Sequence, residues 1–345
     1  MEFIDYIIPF ERIAAMSTGP QVLLILVIIG ASLAVLTKGA DWLVDGAAQL
    51  AYRLGISKII VGATVVSLGT TTPETAVSVL AALRGEIGIA LGNAVGSVIC
   101  DTGLIFGLGC LLTRLPLDRF ILNRHGWLQF GSGLLLVFLV VISTAVYGAP
   151  VITRPMGVML LCLLAGYMFI SIRWARNHPN PTGDIPAVTH SVTACMMMII
   201  VGVFMVVFSA QALIRSVALL CNLLGIPEAV VAATVVAFGT SLPELVTALT
   251  SIRKGHPEIM IGNIVGADIL NVLFVTGASA AAVALPVPAE VLRIHLPTMI
   301  LILLLFRIFI YTSRDHFRRW YGIPLLAIYA AFIIVSYFAR GIVGL

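Results

Sequence analysis

VGATVVSLGTTTPETAVSVLAALRGEIGIALGNAVGSVICDTGLIFG, residues 61–107, returns 170 residues later as VAATVVAFGTSLPELVTALTSIRKGHPEIMIGNIVGADILNVLFVTG, residues 231–277, without a gap. Seventeen of the 47 paired positions are identical, where chance in so apolar a chain gives roughly a tenth, so the chain holds a duplicated unit. The identities include Gly69/Gly239, Thr70/Thr240, Pro73/Pro243 and Glu74/Glu244. Each glutamate is embedded in an otherwise apolar segment, and an acid kept twice in such surroundings points to function.

The rest of the composition says what those surroundings are. Of the 345 residues, 60% are hydrophobic and 10% charged, against about 25% charged in a typical soluble domain. Apolar runs of about 20 residues cross a bilayer. They fall near 20–38, 57–84, 87–112, 125–147, 155–172, 192–221, 227–250, 257–285, 291–311 and 321–341. The expected fold is therefore an all-α integral membrane protein of ten transmembrane helices. Five helices per half is an odd number, so the second copy enters the membrane from the opposite side and the repeats are inverted.

Basic residues orient this plan, because cytoplasmic loops carry the Lys/Arg excess. Alternating the loops puts Arg53, Lys58, Arg114, Arg119, Arg124, Arg173, Arg176, Arg253, Lys254, Arg314, Arg318 and Arg319 on one side. Arg12, Arg84, Arg154, Arg293 and Arg340 fall on the other. The richer side is read as cytoplasmic and both termini as outside. The net charge of +4 follows from this asymmetry and gives no reason to invoke nucleic acid. The opening MEFIDYIIPFERI has acids and no basic n-region, so the first span is expected to be retained rather than cleaved.

The chain divides into a first five-helix repeat, 1–172 (motif 61–107), a cytoplasmic connector, 173–190, and a second repeat, 191–345 (motif 231–277). The connector contains NHPNPTGD, whose prolines and glycine read as loop. Cys100, Cys110, Cys162, Cys195 and Cys221 lie in apolar runs without metal-ligand spacing and read as helix-packing residues.

In GTTTPE, residues 69–74, proline lacks an amide hydrogen and its ring crowds the carbonyl of Gly69. The expected result is a broken helix at the centre of each repeat, since GTSLPE, residues 239–244, has the same device. Freed carbonyls inside a membrane are tolerated where they line a protein cavity, and in transporters they bind cations. Helical spacing brings Ser67, Thr70, Thr71 and Glu74 to one face. Thr240, Ser241 and Glu244 do the same in the second copy, with Ala237 at the position of Ser67.

The second half of each motif is GNAVGS followed by Asp101, and GNIVGA followed by Asn271. Asn93, Ser97 and Asp101 recur every four residues as a polar ladder, and the adjacent glycines admit a close neighbouring backbone. The candidate ligands are then Glu74, Glu244, Asp101, Asn271, Ser97 and the hydroxyls and carbonyls above. All are oxygens, which suit hard cations such as calcium and sodium rather than zinc or copper. A single Pro-Glu reads most simply as a kink beside a neutral packing residue. Two matched acids, each costing about 2.5–3.5 kcal/mol at mid-membrane, do not.

With these residues in hand, GTTTPE and GTSLPE, each followed by GNxVG, resemble the two alpha repeats of the calcium/cation antiporter superfamily, specifically the prokaryotic sodium/calcium exchangers. The resemblance implies exchange of calcium for sodium by alternating access at a shared central site in the inner (plasma) membrane of a bacterium. It implies calcium coordination by Glu74, Glu244 and the 101 and 271 positions, with neighbouring hydroxyls and carbonyls helping sodium. The expected partners are these transported ions and the lipid bilayer. No resident cofactor is expected and no oligomeric state is read from the sequence.

The pattern departs from the family at Ala267, where serine is common, and at Asp268, where asparagine is common. Asp268 fits an interhelical hydrogen-bonding role or a proton-linked one equally. Asp41 and Asp45, with Lys38 nearby, read as local pairing or a solvated helix end. Two other readings stay open: exchange of calcium for protons or with a potassium requirement, and an intramembrane acid hydrolase using paired carboxylates. The second lacks a Gly-x-Gly-Asp sequence.

Overall fold

The computed structural model describes residues 8–177, 190–224 and 240–342. Apart from one two-residue strand pair, the regular structure of these residues is helical. A short α1 (Phe10–Ala14) precedes α2 (Thr18–Leu54), and α3 is a continuous helical run over 58–83. Then follow α4 (Ile87–Leu112), α5 (Arg119–Tyr147), α6 (Arg154–Asn177), α7 (Val192–Leu223), α8 (Leu242–Arg253), α9 (Pro257–Ala282), α10 (Val291–Thr312) and α11 (Gly322–Ile342). Eight of these, α2, α4 to α7 and α9 to α11, are long and apolar enough to cross a membrane, α11 together with the turn before it.

Local chemistry sets the ends. Ser57, Asp118 and Ser191 cap α3, α5 and α7 by accepting from the amides of Ile59, Ile121 and Ala194. Gly55 and Gly148 end α2 and α5 in the left-handed conformation, at φ 65° and 71°. The Asp118 cap explains why α5 starts six residues before the expected 125. The first span is also far longer than the expected 20–38, running on through Lys38, Asp41 and Asp45. These acids are not paired locally. Asp41 meets Arg253, and Asp45 meets Lys254 at 2.8 Å, so the end of α2 is tied to the α8–α9 corner.

The duplication is visible element by element. Ile87–Ile99 answers Pro257–Leu270, and Gly107–Leu112 answers Gly277–Ala282 at the same offset of 170. Between them the backbone widens into π-helix at Cys100–Phe106 and at Asn271–Thr276. Gly85 and Gly255 turn the corresponding corners at positive φ.

α4 and α9 form the centre: 72% and 94% of their most apolar windows are buried, against 22% for α2 and α6. Leu23, Val27, Phe138, Val141, Phe169 and Phe204 project outward, as expected of a surface facing lipid. Without a hydrophobic drive between helices in lipid, close backbone approach through small residues replaces it. A Cβ on Gly202 of α7 would stand 2.7 Å from the Leu43 amide of α2. One on Gly266 of α9 would stand 2.5 Å from the Ala63 carbonyl of α3, and one on Gly262 would strike Ile59. The expected close approach at the motif glycines therefore holds for Gly262 and Gly266. At Gly92 and Gly96 no described residue comes comparably close. Cys100, Cys110 and Cys195 are buried packing residues, whereas Cys162 is exposed on α6.

The expected break at Gly69–Pro73 is replaced by a different arrangement. Pro73 sits inside a regular α-helix, Ser67–Leu83, and the irregularity lies just before it, as π-helix over Gly62–Val66. Threonine hydroxyls back-bond to carbonyls on either side of the Gly69 carbonyl that the proline frees: Thr72 donates to the Leu68 carbonyl and Thr75 to that of Thr71, at 2.5 and 3.0 Å. Hydroxyl back-bonding and local π turns are the known ways a membrane helix absorbs a proline. In the second copy α8 begins at Leu242, with Pro243 in its first turn, where a missing amide costs nothing.

Candidate ion-binding site

Glu74 of α3 is 1% exposed. Its Oε1 accepts a 2.8 Å hydrogen bond from Ser97 of α4, whose hydroxyl is 3.4 Å from that of Ser241 at the start of α8. Oε2 has no partner. Asn93, one turn before Ser97, donates to Ser78 at 2.9 Å, so the polar ladder of α4 does face α3. Asp101 is the next rung, and among the described residues neither of its buried oxygens has a partner.

The second copy contributes Glu244 from α8, fully buried, and Asn271 at the π turn of α9; among the described residues neither side chain has a close hydrogen-bond partner. Glu244 and Asp268 lie within electrostatic reach of Glu74, with Asn271 beside it. Asp101 in turn feels Glu244, Asp268 and Glu74. Side chains from α3, α4, α8 and α9 thus gather in one buried region. Among the described residues none of its four carboxylates has an ion-pair partner.

The remaining candidates divide by what their hydroxyls already do. Thr71 is buried with a free Oγ1. Thr70 donates to the Val66 carbonyl at 3.3 Å and to Asn263 Oδ1 at 3.4 Å, and stands beside Glu244. Ser67 donates to the Thr64 carbonyl at 3.4 Å. Ser241 is buried and Thr240 half-buried, while Ala237 lies outside the described residues. Asp101 and Asn271 both occur in π segments, a backbone form that recurs at functional sites.

Asp268, unassigned from the sequence, has an interhelical role: its Oδ2 accepts from Thr102 of α4 and, at 2.5 Å, from Gln129 of α5, while Oδ1 is free. Gln129 was missed, although a glutamine inside an apolar span is a visible signal. Tyr167 of α6 was missed too; its hydroxyl donates at 2.9 Å to the Ala63 carbonyl in the π segment of α3. Nothing in the sequence around Tyr167 marks it.

A buried carboxylate without a partner is costly. Glu74, Glu244 and Asp268 all lie within reach of Asp101, and four such acids with no basic partner among the described residues need cations or protons to balance them. Among the described residues no three carboxylate, imidazole or thiol groups surround one point as a metal site. Hydroxyl and amide groups stand beside these acids, a chemistry that suits hard cations.

The model of the sodium/calcium exchanger protein family matches residues 24–173 and 195–338. The chain belongs to the sodium/calcium exchanger family. It is 28% identical over 336 residues to the sodium/calcium exchanger MaX1 of Methanosarcina acetivorans, covering 88% of this chain and 95% of that one. Against the inner membrane protein YrbG of Escherichia coli it is 33% identical over 264 residues, covering 74% and 78%. The solved structure of the sodium-calcium exchanger NCX_Mj soaked with zero Na+ and Ca2+ is similar, with TM-score 0.76 and 28% identity over 91% of this chain and 99% of that one. The exchanger is thus an all-α integral membrane protein and a cation antiporter, not an enzyme, which sets the hydrolase reading aside.

Proposed function

We propose that the protein exchanges calcium for sodium by alternating access at the buried carboxylate cluster. The observation that carries this reading is the gathering of Glu74, Asp101 and Glu244 from three helices, all buried, with five of their six carboxylate oxygens lacking a close hydrogen-bond partner among the described residues. Calcium is held there by these carboxylates with Asn271, and sodium by the same acids with Ser97, Thr70, Thr71, Ser67, Thr240, Ser241 and the Ala237 carbonyl. Relatives that bear the sodium/calcium exchanger name support calcium and sodium as the cargo.

The architecture that goes with this function is ten spans in two inverted repeats, 1–172 and 191–345, joined by a cytoplasmic connector at 173–190. Loop contacts support it. Lys58 meets His256, Asp45 meets Lys254 and Pro116 bridges His316, and in all three both partners belong to the side assigned as basic. The strand pair Val151–Ile152 and Leu285–Pro286 links two loops assigned to the other side. Both termini then lie outside, with the basic face in the cytoplasm of a bacterial inner membrane.

The test is calcium flux into proteoliposomes under imposed sodium, proton or potassium gradients. An outward sodium gradient is expected to drive uptake without added potassium. Uptake driven by protons and indifferent to sodium, or dependent on potassium, would replace the coupling ion.

A further inference from the structure

The loops 113–118 and 313–318 are zipped antiparallel. The Leu117 amide donates to the Asp315 carbonyl at 2.8 Å, the Phe317 amide to that of Leu115 at 2.9 Å, and Pro116 bridges His316. Arg119 locks the second loop by donating to the Ser313 and Arg314 carbonyls at 2.5 and 3.2 Å. Buried Leu115 and Phe317 anchor the pair, with Phe317 stacked on Phe306 at 5.9 Å and edge-on to Phe106 at 5.0 Å. The loops are therefore a built surface.

That surface frames a cavity of about 480 Å³ lined by Arg114, His316, Phe317, Arg318 and Arg319. Among the described residues no acid pairs with any of the three arginines. Guanidinium groups present a planar fork matched to phosphate oxygens. The helix ends beside the cavity expose Leu111, Leu112 and Ile323, with Tyr311 at 80% and Trp320 at 53% exposed. Aromatic side chains of this kind mark the headgroup level of a bilayer, and the exposed aliphatics continue toward its acyl region. An arginine-lined cavity next to helix ends that expose aromatic and aliphatic side chains complements an anionic headgroup carrying acyl chains.

We propose that this cavity binds the phosphate headgroup of an anionic phospholipid, whose acyl chains lie against Leu111, Leu112 and Ile323. The basic loops then act as a lipid seat holding the ends of α4 and α10 together, independent of the transported ions.

The test is native mass spectrometry of the purified full chain titrated with phosphatidylglycerol or phosphatidylcholine. Phosphatidylglycerol is expected to be retained in preference. An arginine near an anionic lipid contributes about five-fold to binding, so Arg318→Gln/Arg319→Gln is expected to weaken it about 25-fold. Arg114→Gln alone should weaken it about five-fold. Arg53→Gln/Arg173→Gln, which removes equal charge elsewhere on the basic side, should leave the preference intact. Equal retention of the two lipids, or equal loss in the two double variants, would overturn the seat. So would displacement of phosphatidylglycerol by an equal concentration of inorganic phosphate, which would make the cavity a free-anion site. Unchanged thermal unfolding of the variants in detergent separates lost binding from lost folding.

Discussion

Ser97 holds one oxygen of Glu74 at 2.8 Å, and the other has no close partner among the described residues. The serine belongs to α4 and the glutamate to α3, so the hydrogen bond fixes one carboxylate oxygen across a helix interface and leaves the other available to an ion. A hydrogen bond to a charged group is worth about 1.5–3 kcal/mol. Ser97→Ala is expected to weaken calcium binding, followed by calorimetry in detergent, by roughly ten- to hundred-fold. Unchanged affinity would mean that Glu74 needs no such positioning.

Asp101 supplies a charge that its unpartnered oxygens do nothing else with. A carboxylate ligand binds metal only when deprotonated, so protons compete with the ion and affinity rises with pH. Asp101→Asn is expected to lower calcium affinity and flatten that rise. A titration of binding against pH that superimposes on the wild type would place Asp101 outside the site.

The α3–α9 crossing depends on glycine. A Cβ at Gly262 would strike the backbone of Ile59, whereas one at Gly131, on the outer face of α5, meets nothing within 4 Å. Overpacking a tight contact costs about 1–3 kcal/mol, so Gly262→Ala should lower the detergent Tm while Gly131→Ala should hold or slightly raise it. Equal Tm values for the two variants would refute the close crossing.

His256 lies at the α8–α9 corner, outside the spans. The Lys58 ammonium, which can only donate, is 3.0 Å from His256 Nδ1, so that nitrogen is unprotonated. Burial, then Lys58, lower the imidazole pKa, opposed by Glu258 and Asp45. A lowered histidine pKa means that the unfolded chain binds the proton more readily, so this contribution is present above about pH 6.5 and is lost as pH falls below it. Thermal stability should drop on acidification through that range, with a smaller drop in His256→Gln. Identical pH profiles would remove His256 from the balance.

Much of this was legible in the sequence for a physical reason: the motif residues act through spacing along single helices. Helical periodicity alone puts Glu74, Ser97 and Asp101 on defined faces, and the duplicated copy pairs Glu244 and Asn271 with Glu74 and Asp101; the structure buries all five in one region. Contacts between distant helices were not. Asp45–Lys254 joins residues 209 apart in the chain, and the partners of Asp268 come from two different helices. The helix does not break at Pro73: proline chemistry predicts the hydrogen bond lost at the Gly69 carbonyl, but the backbone stays helical over Ser67–Leu83 and its irregularity lies in the π turns at Gly62–Val66 just before.

The most direct test of the central site is sodium-driven calcium uptake in proteoliposomes, compared for the wild type, Glu74→Gln and Glu244→Gln at equal reconstitution. Glutamine keeps the size and removes the charge of two buried groups that lie within electrostatic reach of each other. Abolished uptake in both variants, with folding intact by Tm, is the expected result. Near wild-type uptake in both would contradict a calcium/sodium site built on these carboxylates.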